Sequence, residues 1–252
     1  MKKIISGKNI VKAFGKGDEK ATVLNNVSIE IADGEFVAVM GPSGCGKTTL
    51  LFALSGTDTI DAGTVEFAGQ ELSKLSENEL FDMRRRKMGF VFQQPTMLKN
   101  LNILDNIILS SLQGNKNRNK HIIEKAKKLL NDTGISNLED RDISEVSGGQ
   151  LQRAGICRAL INEPEILFAD EPTGALNSKT AEEIMGIFSA INQDGTAVML
   201  VTHDAKVASR AERVLFMKDG KIKSQLFLGK FNKDTIKNRI NQIALKMQDF
   251  DI

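Results

Sequence analysis

The stretch Gly41-Pro42-Ser43-Gly44-Cys45-Gly46-Lys47-Thr48-Thr49 constrains this chain more than any other part of its sequence. Glycine, four residues, glycine, lysine and a hydroxyl residue is the spacing of a phosphate-binding loop. Glycines let the backbone wrap an anion with its N–H groups turned inward. A helix starting at Lys47 adds the positive end of its dipole. Lys47 can then reach the β- and γ-phosphates of a nucleotide, and the Thr48 hydroxyl can bind Mg²⁺. The flanks suit this reading. Glu35 to Met40 is a buried strand of small and branched apolar residues, and Thr48 to Ser55 opens a helix.

A second stretch, Ile166-Leu167-Phe168-Ala169-Asp170-Glu171, is an apolar strand ending in two acids. Alone it reads as a strand running into a solvated turn. Behind a phosphate loop, Asp170 is expected to hold Mg²⁺ and Glu171 to polarise a water for attack on the γ-phosphate. Together the two stretches read as a P-loop NTPase that uses Mg²⁺.

The rest of the chain supplies the frame. Asn9 to Phe14, Val23 to Ile31, Thr64 to Phe67, Met88 to Phe92, Glu165 to Ala169 and Thr196 to Thr202 read as strands. Asp219-Gly220 marks a hairpin. From about Asn102 to Leu160 the pattern turns helical, with Leu101, Leu104, Ile107 and Ile108, then Ile122, Ile123, Ala126, Leu129 and Leu130, at helical spacing. Ser178 to Ile191 is a helix. Lys233 to Gln248 is an amphipathic one, with Ile236, Ile240, Ile243 and Met247 on one face. Strand–helix alternation around a helical insert implies a parallel α/β core carrying a helical subdomain.

Composition excludes several classes. The net charge is +2, from 34 basic and 32 acidic residues, so no nucleic-acid partner is expected. The run Arg84-Arg85-Arg86-Lys87 reads as a solvated helix end rather than a phosphate patch. The longest apolar runs are strand-sized, against the roughly 20 residues a spanning helix needs. The basic start, Met1 to Lys8, is not followed by an apolar signal core, which implies a cytoplasmic chain. Two cysteines and two histidines without ligand spacing make zinc improbable. Cys45 lies inside the phosphate loop, so a bulky thiol reagent is expected to inhibit there and ATP to protect.

Four further motifs narrow the class. Ser147-Gly148-Gly149-Gln150, followed by Leu151-Gln152-Arg153-Ala154, resembles the signature of ABC (ATP-binding cassette) proteins, with Val146 where Leu is usual. Ser147 also reads as the N-cap of a helix from Gly148 to Leu160, and both roles can hold together. Gln93, in Gly89-Phe90-Val91-Phe92-Gln93, resembles the Q-loop glutamine that senses Mg²⁺ and the γ-phosphate. Gly174-Ala175-Leu176-Asn177 resembles the D-loop, which crosses to a partner cassette. Asn177 departs from the usual Asp and puts cross-dimer communication in doubt. His203 resembles the switch histidine. Phe14 falls where the family stacks an aromatic on adenine, and it also reads as a core residue. The resemblance runs from about Ile10 to Ile222.

It implies a RecA-like P-loop core with an antiparallel β subdomain and a helical, signature-bearing subdomain at about 95–160, within a nucleotide-binding domain of residues 1–226. Residues 227–252 form a C-terminal helical extension, either packed on the cassette or serving regulation or docking. Two copies are expected to pair head to tail on ATP. Lys47, Gln93, Glu171 and His203 would act catalytically, and the loop Gly41 to Thr49, Phe14 and Ser147 to Gln150 would bind nucleotide. Thr48, Gln93 and Asp170 would hold the metal. The motifs look most like cassettes serving FtsX-type permeases, which include macrolide and lipoprotein exporters and bacitracin- and lantibiotic-resistance systems. The implied function is to drive a separate integral membrane permease from the inner face of the cell membrane. Its cargo would be an antimicrobial peptide or a lipid-linked substrate. A non-transport ATPase acting with an FtsX-like partner in the cell envelope or cell division is the alternative. Met97 and Leu98, beyond the Q-loop, are candidate permease contacts.

Overall fold

The computed structural model describes residues 2–112 and 120–250. In chain order its elements are β1 (Lys3–Phe14), β2 (Ala21–Ala32), β3 (Phe36–Met40), α1 (Lys47–Leu54), β4 (Ala62–Phe67), β5 (Gln70–Glu71), α2 (Glu77–Lys87), β6 (Met88–Phe92) and α3 (Ile103–Ile108). There follow α4 (Lys120–Asp132), α5 (Gly148–Leu160), β7 (Ile166–Asp170), α6 (Ser178–Gln193), β8 (Ala197–Val201), α7 (Ala205–Ala208), β9 (Arg213–Lys218), β10 (Lys221–Phe227) and α8 (Ile236–Asp249).

Two sheets form. One is antiparallel, in the order β2-β1-β4-β5. The other runs β10-β9-β3-β8-β7-β6 and is parallel except for β10, which pairs antiparallel with β9. Its central strands are covered on both faces, which is why they read as unbroken apolar runs. Along β3, Val37 and Val39 enter a core shared with α1 and the antiparallel sheet. Phe36, Ala38 and Met40 enter a second core with Ile156 of α5, Phe188 of α6 and Ile243 of α8. The period-2 alternation of side chains sorts one strand between two cores. A third core, with Ile103, Ile107, Ala126, Leu130, Ala154 and Cys157, unites α3, α4 and α5. The architecture is therefore the expected α/β core with an antiparallel β layer and a helical part.

The Asp219-Gly220 hairpin forms as expected, with φ of 53° and 69°; two left-handed residues match the twist of the strands they join. The helical pattern over 102–160 comprises separate helices: Asn102 caps α3 by accepting from the Asp105 amide, and Ser147 caps α5, Gly148–Leu160, as expected. Of helix α2 only the basic end was anticipated, because Met83 is its only buried residue and no apolar period marks the rest. It is held instead by a Ser76–Glu79 capping box, worth about 1 kcal/mol. Its last turn carries Arg84 to Lys87, a helix end as expected, with Arg85 paired to Asp82 at 2.9 Å.

Candidate nucleotide site

The chemistry-bearing segments leave the carboxyl ends of neighbouring parallel strands, where open α/β sheets bind ligands. The phosphate loop follows β3, Gln93 follows β6, Asp170 ends β7 with Glu171 next, and His203 follows β8. Gly46 caps α1 with φ 102°, a conformation that L side chains rarely adopt. Pro42, Ser43 and Gly44 are exposed, and Thr48 and Thr49 are half-buried. The Lys47 ammonium folds over the loop and donates to the carbonyls of Gly41 at 2.8 Å and Pro42 at 2.9 Å.

The thiol of Cys45 turns inward, away from the loop's outer face. It is 6% exposed and packs in the core that holds Leu50 and Met217. Burial pushes it above the ordinary thiol range, and Lys47 opposes this. Since the thiolate is the reactive form, the ready inhibition expected from the sequence does not follow. In a Cys157→Ala protein at pH 7, a maleimide should label Cys45 at least about tenfold more slowly in the folded than in the urea-unfolded chain. Equal rates would refute the inward orientation.

At the end of β7 the Thr48 hydroxyl lies 3.1 and 3.0 Å from the two Asp170 carboxylate oxygens. Burial, then the Glu171 charge, push the Asp170 carboxyl above its usual range, opposed by the Thr48 hydrogen bond and Lys47. A hydroxyl and a carboxylate, both hard oxygen donors, suit Mg²⁺. Glu171 sits at φ 47°, uncommon for any residue but glycine, with its amide bonded to the Val201 carbonyl at 3.0 Å. Its Oε1 lies 2.8 Å from His203 Nδ1, so the two residues face each other across 32 positions of sequence.

Gln93 is exposed beside the D-loop segment; a Cβ at Gly174 would fall 2.9 Å from its Nε2. Behind it, Gln152 of α5 donates to the Phe92 carbonyl at 3.0 Å and ties the helical part to this loop. No motif assigns a role to Gln152. Its near-complete burial within a polar stretch of α5 is a structural property.

Ser147 caps α5 through a capping box with Gln150. With Gly148 and Gly149 it opens on a cleft of about 450 Å³, shared with Ala175, Leu176 and Asn177 and lined by no residue of Gly41 to Thr49. Asn177 caps α6 by accepting from the Thr180 amide at 3.0 Å. Arg153 spans the same seam, donating to the Thr133 carbonyl and pairing with Glu183 at 2.6 Å. Phe14 is 46% exposed with Lys12 Nζ 5.1 Å from its ring centroid, so it is not a core residue. Met97 is the reverse case. Expected as a surface contact, it is 8% exposed and packs in the helical core, while Leu98 beside it is 48% exposed.

Comparison with known proteins decides the family. The ABC transporter family matches residues 24–174. The chain is 42% identical over 233 residues to the bacitracin export ATP-binding protein BceA of Halalkalibacterium halodurans, covering 92% of each. This chain belongs to the ABC transporter ATP-binding family. It is also 42% identical over 219 residues to the macrolide export ATP-binding/permease protein MacB of Pasteurella multocida. That match takes in 87% of this cassette but 34% of MacB, so the cassette spans about a third of that relative. Among solved structures it resembles a dimeric post-hydrolysis state of the cassette MJ0796 bound to ADP and Pi. The TM-score is 0.83 at 37% identity, over 90% of this chain and 100% of that one. The cassette binds ATP and is an ATPase, as its family membership and this structural match show.

Proposed function

We propose that two copies of this cassette close head to tail on two ATP molecules and thereby drive a separate membrane permease. The observation that carries the reading is the signature cleft. Ser147, Gly148 and Gly149 present a hydroxyl and backbone amides at a helix start, yet no residue of the chain's own phosphate loop lines that cleft. A second copy supplies the missing nucleotide.

Within each site, the loop amides and Lys47 bind the phosphates, Phe14 stacks on adenine, and Thr48, Gln93 and Asp170 hold Mg²⁺. When bound, the metal neutralises charge on the β- and γ-phosphates. Glu171, steadied by His203, takes a proton from the attacking water. Lys47 and His203 stabilise the charge that develops on the γ-phosphate, and Ser147 and Gly149 of the other copy complete the enclosure.

The export names of BceA and MacB support a role in export, with an antimicrobial peptide or lipid-linked molecule as cargo. MacB's combined ATP-binding/permease name supports a permease partner. No helix among the described residues is long and apolar enough to cross a membrane. The cassette would then sit in the cytoplasm against the inner face of the membrane. Leu98 is the exposed apolar side chain beside the Q-loop, its amide braced by Asn106 at 2.7 Å. Leu98→Glu should abolish permease-stimulated ATPase and capture of the membrane subunit while leaving basal ATPase within about twofold. Equal loss of basal and stimulated activity would refute this docking position.

A further inference from the structure

Helix α8, whose Ile243 packs in the second core, is also tied to the rest of the chain by one buried guanidinium. Arg239 is 3% exposed, and its five N–H groups all find backbone carbonyls. Nε donates to Ser209 at 2.7 Å, one terminal nitrogen to Leu228 at 2.9 Å and Lys230 at 3.2 Å, and the other to Ala211 at 2.5 Å and Gly229 at 3.1 Å. An arginine has five N–H donors in a fixed fork, so nothing is left over and no shorter cation reproduces the pattern.

Two of the carbonyls it grips, those of Ser209 and Ala211, belong to the segment that carries His203, and the other three, those of Leu228, Gly229 and Lys230, follow β10. His203 leaves β8, Asp204 caps α7 by accepting from the Lys206 and Val207 amides, and Ser209 and Ala211 follow directly before β9. Glu212 extends the tie, since its carbonyl accepts from the amides of Leu228 and Gly229. A second arginine joins the arrangement from the other side. Arg210 lies over the Phe231 ring at 4.5 Å, and Arg239 lies 5.7 Å from the same centroid. Arg210 also approaches Glu182 of α6 at 3.8 Å, as does Lys206. The return from α7 to β9 is thus held between α8 and α6. A free turn of this length would open readily, because each buried carbonyl would keep water as an alternative partner.

We infer that Arg239 is a positioning residue for hydrolysis: α8 holds the 203–211 segment so that His203 meets Glu171. The inference rests on the proposed roles of His203 and Glu171. With only two histidines in the chain, the ring of His203 can be followed by ¹⁵N NMR without interference once His121→Gln identifies the other. In Arg239→Met the ring signals of His203 should move from their wild-type positions. The kcat should fall at least about tenfold while KM for ATP stays within twofold, since the phosphate loop and Phe14 are untouched. Arg239→Lys, which keeps the charge but not the fork, should give a smaller shift of the same sign and serves if the methionine protein does not fold. His203→Ala should cost far less in the Arg239→Met background than alone.

Unmoved His203 signals in both Arg239 variants, or fully multiplicative kcat losses in the double variant, would overturn the inference. Should His203→Ala alone leave kcat unchanged, the assigned role of His203 fails. In that event displaced ring signals in Arg239→Met still support the anchoring of the segment by α8, and unmoved ones still refute it.

Discussion

Glutamine in place of Glu171 lowers steady-state ATPase by about 10²-fold or more, leaves ATP affinity intact and makes the cassette accumulate as an ATP-bound dimer. The loss is the scale of a positioned general base. The amide keeps the volume of the side chain and can still bond to His203 Nδ1, now 2.8 Å from the carboxylate, but it cannot take a proton from water. The left-handed backbone at position 171 is set by the bond to Val201 and is not disturbed. Phosphate and adenine contacts come from other segments, so binding persists while turnover stops. Light scattering on a sizing column with Mg²⁺–ATP reads the outcome. A dimer in the variant and a monomer in the wild type support the head-to-tail reading. A monomer with ATP bound means that closure needs more than ATP. Repeating the assay with Asn177→Asp then tests whether the missing D-loop carboxylate is the cause.

Aspartate at Gly148 separates the needs of the single chain from those of the pair. A Cβ at Gly148 meets no atom within 4 Å, so the fold of one copy does not require glycine there. An acid in the first turn of α5 is favourable to the helix by about 0.3–1 kcal/mol. The thermal midpoint of Gly148→Asp should therefore equal or slightly exceed that of the wild type. In a head-to-tail pair the same carboxylate would face the other copy's triphosphate. At about 4 Å and an effective dielectric of 20, like charges repel by about 4 kcal/mol, and each 1.36 kcal/mol is about tenfold in rate. ATPase should fall by about 10²-fold or more. Wild-type turnover in a stable Gly148→Asp protein would eliminate the shared site. Gly41→Ala is the contrasting control. A Cβ there would lie 2.1 Å from the Met217 carbonyl, a strand backbone that cannot step aside. It should destabilise the single chain by about 1–3 kcal/mol, lowering the thermal midpoint by about 2–4 °C per kcal/mol.

These two glycines show how differently a motif can be legible. Both belong to recognisable patterns, yet one glycine is demanded by its own chain and the other is not, and only packing tells them apart. The family, the α/β core and the order of the motifs were readable because each rests on local rules. A buried parallel strand must be apolar throughout, as Phe36–Met40 and Ala197–Val201 are. A loop that cradles phosphate needs its glycines and lysine at fixed spacing, and a helix start advertises itself through Ser147 and Gln150.

What the sequence did not yield depends on direction and distance across the fold. Met97 and Leu98 are adjacent apolar residues in irregular chain, where no period says which one points inward; the third core claimed Met97 and left Leu98 outside. Cys45 was placed correctly within the loop, but its inward turn is set by the packing of Met217 and Leu50 around it. The Glu171–His203 contact joins the ends of two strands paired by the sheet. No pattern in the sequence singles out Arg239 within the amphipathic helix Lys233 to Gln248. Its five carbonyl partners come from two separate turns that only the folded chain brings together. Sequence determined which chemistry this chain carries, because chemistry is written in short, locally constrained patterns. Tertiary structure alone decided which of those groups meet, because that depends on how distant elements pack.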